Sequence, residues 1–520
     1  MEAADRYPIG QQDFKALRQG NAVYVDKTRY IEKIVRSNSR YYFLARPRRF
    51  GKSLFLSSLR YFFEGERDLF RGLYADRMEW SWEKYPVLYL DLNSGEYSLP
   101  ENLDIVLDYM LRQWEDRYGI SRQEEDITTG FRRIIESIHA AVGKKVVILV
   151  DEYDKPLVKN LNRQNLEVYR EKLAALYSNF KTCSEHIRLV FMTGVSRFSR
   201  LSVFSGLNNL RDITFQNEYA DICGITEAEL LGNLRPGIEA LAEKRKITFQ
   251  KACLLLKKNY DGYRFAEEGS DIYNPWSLLN CLAAKKIANY WNHTGMPTIV
   301  VRALEKTGGN LEKYIDVSCT EDELMGLDLL NPGPIALMYQ TGYLTIKDYR
   351  EDTGIYRLGI PNNEVKKGFF THLLPLYVKT RHDSVSMLVN ELVVALCDGR
   401  PQTFMETLKA FFAAIPYSIK VEDENNFHNA FFLLTTLLGI DTDAEVQTSC
   451  GRIDMVLKTD GYIYVIELKY DSTARAALDQ INRKEYALKY ANDPRRLIKI
   501  GVNFSSKTRR IDDWIIEEEK

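Results

Sequence analysis

The segment RPRRFGKS, residues 46–53, combines residue types that bind polyphosphate groups. It stands between a short apolar run and a segment with helical spacing, where backbone N–H groups at a helix start can cradle phosphate. Lys52 would reach the β- and γ-phosphates, and the Ser53 hydroxyl would ligate magnesium. Arg46 occupies the place of the first glycine of the usual pattern, which leaves the tightness of the loop open. The other candidate residues of this nucleotide-binding loop are Arg48, Arg49 and Gly51.

A second motif, VVILVDE, ends an apolar run with Asp151 and Glu152. Asp151 would hold magnesium directly or through water, and Glu152 would orient and activate the attacking water. The next apolar run ends in Thr193, a candidate polar sensor, and Arg197 or Arg200 is a candidate charge-stabilising residue. Each motif has a simpler explanation, because GKS occurs by chance and an Asp-Glu pair can cap a helix. Their order and their separation of about 100 residues favour an ATPase site.

Near the C-terminus, Asp454 in GRID and Glu467 and Lys469 in YVIELKY form the pattern D…ExK. Glu467 and Lys469 are two residues apart and project from the same face of a strand, with Asp454 on a neighbouring strand. Two carboxylates on one sheet face can bind Mg²⁺, which polarises a phosphodiester and lowers the pKa of a bound water. Lys469 can orient or activate that water. Further candidates are Glu445, on the preceding strand, and Gln480, on the following helix.

The pattern D…ExK is short, and two other interpretations stay open. An ELK on an exposed strand face can simply be solvated, and a degenerate nuclease fold can be kept for binding alone. Asp454 and Glu467 interrupt otherwise apolar strands, where a charge is costly unless it is used or paired. This observation favours a catalytic metal site over both alternatives.

The elements that must position the first two motifs alternate between strands and helices. The predicted strands lie at 41–45, 87–92, 145–154 and 188–194, and the predicted helices at 53–63, 101–117 and 128–142. Continuous apolar strands separated by helices predict an α/β fold with a parallel sheet covered on both faces. The extra strand between the two motifs, with the Asp-Glu pair, resembles the additional-strand, catalytic-glutamate division of P-loop ATPases.

Helical spacing dominates the middle of the chain, and the strand signal returns only at 342–349 and 356–360. Two short strands after helices predict a mostly helical, winged-helix-like accessory domain. The predicted domain boundaries are 1–224 for the ATPase domain, 225–375 for the accessory domain and 376–520 for a C-terminal α/β domain.

In the C-terminal domain an apolar helix at 427–439 is followed by three strands at hairpin spacing. A helix at 473–490, a strand at 497–504 and a short terminal helix within 511–520 complete the prediction. The order of helix, three strands, helix and strand resembles the PD-(D/E)XK nuclease core, which is a restriction-endonuclease-like fold. This resemblance assigns Asp454, Glu467 and Lys469 to the catalytic set of that superfamily.

The composition places few limits on function. Lys plus Arg is 71 and Asp plus Glu is 72, so the net charge of -1 gives no global sign of a nucleic-acid partner, although local basic patches remain compatible with it. Seven cysteines without a CxxC pair indicate reduced thiols. The N-terminal residues contain no apolar signal segment, and the longest apolar stretch is too short to span a bilayer. We therefore expect a cytoplasmic protein with no membrane partner.

Several motifs together resemble the bacterial AAA-ATPase-like family that carries a C-terminal nuclease-like domain. They are YVDKT, RPRRFGKSL, VDEYDKPL, TGVSRFS, DGYRF and YQTGYLTIKDY. The resemblance implies that RPRRFGKS is a family variant of the P-loop. It also implies an ATP-binding and ATP-hydrolysing protein coupled to a Mg²⁺-dependent nuclease-like domain, with nucleic acid as the partner and DNA favoured over RNA. A homo-oligomer is compatible with it. The alternative is an ATP-dependent regulatory switch whose C-terminal domain is a non-catalytic module that binds nucleic acid or protein.

Overall fold

The computed structural model shows two compact units, each of which is treated separately below. The first contains the described residues up to Glu364 except Leu304, and the second contains Leu304 and the described residues from Val365 onward. The described residues are 7–161, 164–197, 209–291, 300–301, 303–304, 316–326, 333–378, 382–413, 434, 437–438, 441–448, 451–490, 493–505, 507–508 and 510–519.

A parallel sheet forms the centre of the first unit. Its strands are β1 (Tyr41–Ala45), β2 (Val87–Asp91), β3 (Val146–Asp151), β4 (Ile187–Gly194) and β5 (Arg211–Asp212). They lie in the order β2-β3-β4-β1-β5, and every adjacent pair is parallel. The residues of β1 and β3 are all buried, as continuous apolar runs predict. The order places β4 between the strand that precedes the RPRRFGKS loop and the strand that ends in Asp151.

Helices connect and cover these strands. They are α1 (Phe14–Gln19), α2 (Arg29–Arg36), α3 (Lys52–Phe63), α4 (Glu101–Tyr118), α5 (Ile127–Val142), α6 (Lys155–Asn160) and α7 (Leu166–Thr182). Helix α5 begins where the Asp126 carboxylate accepts the N–H groups of Thr128 and Thr129, and it ends at Gly143 in the left-handed conformation. The α/β fold class predicted from the sequence is confirmed.

The rest of the first unit is mostly helical. Its helices are α8 (Glu227–Asn233), α9 (Arg235–Arg245), α10 (Phe249–Tyr260), α11 (Pro275–Ala284), α12 (Glu321–Met325) and α13 (Pro334–Thr341). Leu230, Leu241, Leu256 and Leu278 pack in their shared core. A short ladder joins β6 (Ile225–Thr226) to β7 (Ile272–Tyr273).

An antiparallel sheet accompanies these helices. Its strands are β8 (Asp316–Thr320), β9 (Thr345–Arg350) and β10 (Ile355–Gly359), in the order β8-β10-β9. The sequence predicted β9 and β10 and missed β8. Only Cys319 of β8 is buried, so this strand has no apolar pattern from which to predict it. The division into three domains stays a prediction.

The second unit is built on a mixed sheet in the order β11-β12-β13-β14-β15. Its elements are α14 (Asn363–Val378), which begins in the first unit, α15 (His382–Cys397), α16 (Pro401–Ala413), β11 (Asp441–Thr448), β12 (Gly451–Lys458), β13 (Tyr462–Tyr470), α17 (Ala474–Arg483), β14 (Arg496–Ser505) and β15 (Arg510–Glu519). Strands β13 and β14 are parallel and the other neighbours are antiparallel. Helix α17 packs Leu478 and Ile481 against Val465 of β13. This mixed sheet confirms the predicted C-terminal α/β core.

The terminal short helix predicted within 511–520 is wrong, because these residues belong to strand β15. They pair along nearly their whole length with β14, and Ile511 is fully buried. The backbone of this segment forms hydrogen bonds with β14, and the sequence of the acidic segment alone does not show that this partner strand is available. The helix predicted at 473–490 ends at Arg483 and is followed by a 3-10 turn at Tyr486–Tyr490. The helix predicted at 427–439 lies almost entirely outside the described residues.

Two further expectations concern thiols and membranes. The six cysteines that the structure describes are free. Within the described ranges, no helix has both the length and the apolar character needed to cross a bilayer.

Candidate functional site

The RPRRFGKS loop joins β1 to the first turn of α3. Gly51 caps α3 in the left-handed conformation, with φ 97°, and Lys52 is the first residue of the helix. A Cβ at Gly51 would meet nothing within 4 Å, so the backbone angle rather than space requires glycine here. The helix start therefore points its free N–H groups and the positive end of its dipole into the loop.

Arg46 has a structural role that the sequence did not reveal. Its buried guanidinium donates to the carbonyl oxygens of Ala45 at 2.9 Å, Thr214 at 2.7 Å and Tyr219 at 3.1 Å. It also stacks on the ring of Phe265, 4.6 Å from the ring centroid. These contacts fix the start of the loop where the usual pattern has glycine.

Lys52 is only 5% exposed, and its Nζ donates to the carbonyl oxygens of Arg46 at 2.9 Å and Pro47 at 3.1 Å. The ammonium group therefore lies inside its own loop. Both acceptors are neutral carbonyls, and anionic phosphate oxygens would be stronger partners for the same cation.

Asp151 and Thr193 meet at the carboxyl edge of the parallel sheet. The Thr193 hydroxyl donates to Asp151 Oδ1 at 2.6 Å, and the Tyr89 hydroxyl donates to Oδ2 at 3.3 Å. Asp151 is 4% exposed, and these two donors orient a carboxylate that would otherwise be costly to bury. The arrangement follows from the strand order, because β4 carries Thr193 directly beside β3.

Further acids surround Asp151. Asp91 lies opposite Asp151 in the ladder between β2 and β3. Burial, together with the charges of Asp151 and Glu152, raises the pKa of Asp91. Glu152 has a left-handed backbone, with φ 50°, and its carboxylate lies 3.4 Å from Lys155 Nζ. Such a backbone costs about 1–3 kcal/mol in a residue other than glycine, and strain of this kind concentrates at functional sites.

Asp154 fixes the segment that follows Thr193, and sequence reasoning missed it. Its buried carboxylate accepts the backbone N–H groups of Val195 at 3.1 Å and Ser196 at 2.6 Å. A Cβ at Gly194 would lie 2.7 Å from Asp154 Oδ1 and 2.6 Å from the ring of Tyr153. The sequence contains no signal for this contact, because VDEYD and TGVS are far apart in the chain and meet only in the tertiary structure.

The described contacts of Arg197 are with residues other than Asp151. Its Nε donates to Asp212, and its backbone N–H donates to Gln340 Oε1 at 2.8 Å. Arg200 lies outside the described residues.

A cavity of about 80 Å³ lies beside the first turn of α3. Its lining is mostly apolar and comes from the N-terminal segment, α3, the segment before β6 and α11. The lining includes Val23, Val25, Gly51, Leu54, Ile222 and Leu279.

The D…ExK residues come together on adjacent strands of the second unit. The ladder between β12 and β13 ends where Met455 pairs with Ile466, and Asp454 and Glu467 are the residues next to that pair on the two strands. The backbone N–H of Leu468 donates to Asp454 Oδ2 at 2.8 Å. Glu467 contacts Gln480 of α17, and the charge of Asp454 acts on Glu467, so the two carboxylates of adjacent strands lie near each other.

Glu467 is 1% exposed and only partly satisfied. Its Oε1 accepts from Gln480 Nε2 and lies 3.5 Å from Lys469 Nζ, whereas its Oε2 is buried with no hydrogen-bond partner among the described residues. Burial, followed by the charge of Asp454, raises the pKa of Glu467 to about 7, and the charge of Lys469 opposes this effect. A divalent cation would satisfy the free oxygen and neutralise both acids.

The side chain of Glu445 lies outside the described part of the structure. Its neighbours Ala444 and Val446 pair with Met455 and Ile453, so its backbone is level with Asp454. Among the described residues, no group of three or more His, Cys, Asp or Glu side chains is placed to hold a metal ion. The described acids of this site are thus the pair Asp454 and Glu467.

Comparison with known proteins connects both sites to families. Residues 8–204 match the family model described as a predicted AAA-ATPase. A protein of Azotobacter chroococcum mcd 1, described as an uncharacterized protein in the vnfD 5′ region, is 34% identical over 524 residues. The alignment covers 98% of this chain and 99% of that protein. The chain belongs to the predicted AAA-ATPase family.

In this predicted AAA-ATPase, residues 422–514 match a model of the PD-(D/E)XK nuclease superfamily. Lys52, Asp151 and Thr193 fall within the first matched range, and Asp454 and Glu467 within the second. The two matches confirm the resemblance drawn from the sequence motifs.

Proposed function

We propose that this predicted AAA-ATPase binds and hydrolyses ATP at the carboxyl edge of its parallel sheet, and that its second unit is a Mg²⁺-dependent nuclease. The observation that carries the first part is the meeting of Thr193 with Asp151 at the strand ends, next to a strand that leads into the Lys52 loop. The nucleic acid is DNA rather than RNA in this proposal, which rests on the family resemblance.

The triphosphate lies in the loop between β1 and α3. The N–H groups at the start of α3 donate to phosphate oxygens, and Lys52 exchanges the carbonyls of Arg46 and Pro47 for the β- and γ-phosphates. Arg46 keeps the start of the loop in place while this exchange occurs, because its own hydrogen bonds are directed away to Thr214 and Tyr219.

The oxygen donors at this site fit a magnesium ion. The Ser53 hydroxyl and the Asp151 carboxylate are hard ligands of the type that Mg²⁺ prefers, and Thr193 and Tyr89 hold the Asp151 carboxylate in one orientation. When bound, the ion neutralises charge on the phosphates. Glu152 orients the attacking water and accepts its proton, and Lys155 holds the Glu152 carboxylate at the edge of the site.

The apolar cavity beside Gly51 would receive the base of the nucleotide. It opens next to the first turn of α3, where the phosphates end, and its lining offers apolar contact to a flat aromatic ring. Arg197 would sense the γ-phosphate only after leaving Asp212, so its role in this proposal depends on a rearrangement.

The second site supplies a pair of carboxylates for a divalent cation. Glu467 Oε2, which has no hydrogen-bond partner in the described part of the chain, and the raised pKa of Glu467 support a divalent cation that Asp454 and Glu467 would hold. When bound, the ion activates water and polarises the phosphodiester. Lys469 stays hydrogen-bonded to Glu467 and directs its charge towards the reacting phosphate, while Gln480 holds Glu467 in position.

Incubation of the whole chain with ATP and with single- and double-stranded DNA and RNA, each with and without Mg²⁺ or Mn²⁺, tests this proposal. We expect ATP hydrolysis, and metal-dependent cleavage of DNA. Hydrolysis of ATP without cleavage of any substrate would favour the switch with a non-catalytic binding module.

A further inference from the structure

Arg49, in the RPRRFGKS loop, forms hydrogen bonds with a backbone segment that is about 240 residues away in the sequence. Its guanidinium donates to the carbonyl oxygens of Tyr290 at 3.1 Å and Trp291 at 3.2 Å. It also stacks on the ring of Trp276, 4.1 Å from the ring centroid. Arg49 has φ 69°, a left-handed backbone that residues other than glycine rarely adopt. A strained loop residue therefore holds what we call the 290–291 segment, which is the backbone of Tyr290 and Trp291.

Glu364 holds the same segment from its N–H side. Its Oε1 accepts the backbone N–H of Tyr290 and, at 2.9 Å, that of Trp291. Glu364 is 2% exposed, and burial raises its pKa, while its hydrogen-bond donors and the positive charge of Arg49 oppose that rise. The 290–291 segment thus joins an arginine of the nucleotide loop to a buried glutamate.

Glu364, which accepts the N–H groups of the 290–291 segment, lies at the boundary between the two units in the chain. Glu364 is the second residue of α14, and it is the last residue of the first unit before the chain continues into the second. The 290–291 segment therefore contacts the beginning of the helix that leads into the second unit.

The partners of Arg49 are exchangeable. Its hydrogen bonds go to two neutral carbonyls, whereas phosphate oxygens form shorter and roughly twice as strong bonds with a guanidinium. Arg49 stands three residues before Lys52 in the loop that would hold the triphosphate. A polyphosphate in this loop competes directly with the carbonyls of Tyr290 and Trp291.

We propose that Arg49 is a nucleotide-responsive latch: bound triphosphate draws its guanidinium from the 290–291 segment, and the loosened segment frees Glu364 and the start of α14. This inference rests on the proposed binding of ATP. It assigns to Arg49 a role in transmission between the two units that is separate from phosphate binding by Lys52.

Hydrogen–deuterium exchange of the whole chain tests the latch, with a non-hydrolysable ATP analogue and Mg²⁺ as the probe and calorimetry to measure occupancy. The amides of Tyr290 and Trp291 are the reporters, because Glu364 accepts both. In the parent protein we expect the analogue to raise their exchange about tenfold, since losing two hydrogen bonds makes local opening easier by about that factor. In Arg49→Ala the exchange should be high without the analogue and change little when it is added.

Two further variants make the result decisive. Arg49→Lys keeps the positive charge but cannot bridge two carbonyls in the same way, so it should raise basal exchange even if Arg49→Ala folds poorly. Arg235→Ala removes an exposed arginine on α9 that pairs with Glu239, and it should behave like the parent. Unchanged exchange at Tyr290 and Trp291 in the parent at full measured occupancy would overturn the latch while leaving ATP binding intact. If calorimetry detects no binding, the proposed ATP site is wrong and the latch is rejected with it.

Discussion

At the residue scale, both candidate sites depend on carboxylates that the fold buries and then orients. Thr193 and Tyr89 donate to Asp151, and Gln480 and the neighbouring Lys469 hold Glu467. A buried carboxylate with few donors is costly, and the cost is reduced by hydrogen bonds or by a cation. The neighbours of the partly satisfied Glu467, Asp454 and Lys469, are therefore the residues with which to separate metal binding from catalysis.

We predict that Asp454→Ala loses both cation binding and cleavage, because it removes one of two facing carboxylates. Lys469→Ala should keep cation binding and lose most cleavage, about 10²-fold or more, since Lys469 acts on the water or the reacting phosphate. Calorimetry with Mg²⁺ or Mn²⁺ beside a cleavage assay measures both effects. Cleavage that persists in Asp454→Ala would reject this site.

We predict that Arg197→Ala lowers the turnover of ATP more than its affinity, if Arg197 leaves Asp212 to sense the γ-phosphate. The variant also leaves Asp212 without its ion-pair partner, so Asp212→Asn provides a control that frees Arg197 without removing it. Steady-state kinetics give kcat and KM for each variant. Parental kcat in Arg197→Ala would remove this residue from the site.

At the scale of secondary structure, the sequence predicted elements best where they are buried on both faces. Strands β1, β2, β3 and β4 are largely apolar and mostly buried, and helices α3, α4 and α5 have apolar residues at helical spacing. Strands β8 and β15 were missed because partner strands, rather than their own apolar residues, define them. Local pattern therefore predicts the buried core elements and fails for β8 and β15, which are defined by their pairing with other strands.

The residues of the candidate sites could be predicted from the sequence where they belong to short motifs. Lys52, Asp151 and the D…ExK residues stand at motif positions and could be proposed from the sequence. The anchoring by Arg46 and the contact of Asp154 with Val195 and Ser196 could not, because their partners are far away in the chain. Arg46 replaces the first glycine of the usual P-loop pattern, and only the structure shows that it forms hydrogen bonds with backbone carbonyls that anchor the start of the loop.

We predict that Gly194→Ala destabilises the first unit by about 1–3 kcal/mol, the usual cost of overpacking. The added Cβ would meet Tyr153 and Asp154, which hold the end of β4 beside the candidate site. Gly232→Ala on α8 is a matched control, since nothing lies within 4 Å of its Cβ, and alanine in a helix should stabilise by about 0.5–1 kcal/mol. Urea unfolding followed by tryptophan fluorescence measures both. Equal stability of the two variants would contradict the packing around Gly194.

We predict a pH-dependent contribution of Glu364 to stability. Burial raises its pKa from 4.5 to about 7, opposed by the N–H groups of Tyr290 and Trp291 and by Arg49. Because the folded state binds the proton more tightly, the contribution is fully present below pH 4.5 and is lost as pH rises to about 7. Between pH 4.5 and 8 the free energy of unfolding of the parent should therefore fall by about 3 kcal/mol more than that of Glu364→Gln. If the unfolding free energies of the two proteins change with pH in the same way, the pKa of Glu364 is not raised in the folded state.

At the scale of the whole molecule, the two candidate sites lie in different compact units. The candidate ATPase residues belong to the first unit and the D…ExK residues to the second. The relative from Azotobacter chroococcum mcd 1 aligns over nearly the whole chain, including the residues of both units. We infer that the ATPase reaction does not need the second site, and that Asp454→Ala and Lys469→Ala hydrolyse ATP like the parent.

The central claim is that Lys52 binds ATP and Glu152 activates water for its hydrolysis. The most direct measurement combines calorimetric ATP binding with a phosphate-release assay on the parent, Lys52→Ala and Glu152→Gln, with Lys181→Ala as an exposed lysine control on α7. We predict that Lys52→Ala abolishes binding, that Glu152→Gln binds ATP but hydrolyses it at least about 10²-fold more slowly, and that Lys181→Ala equals the parent. Hydrolysis at the parental rate by both Lys52→Ala and Glu152→Gln would contradict the assigned site.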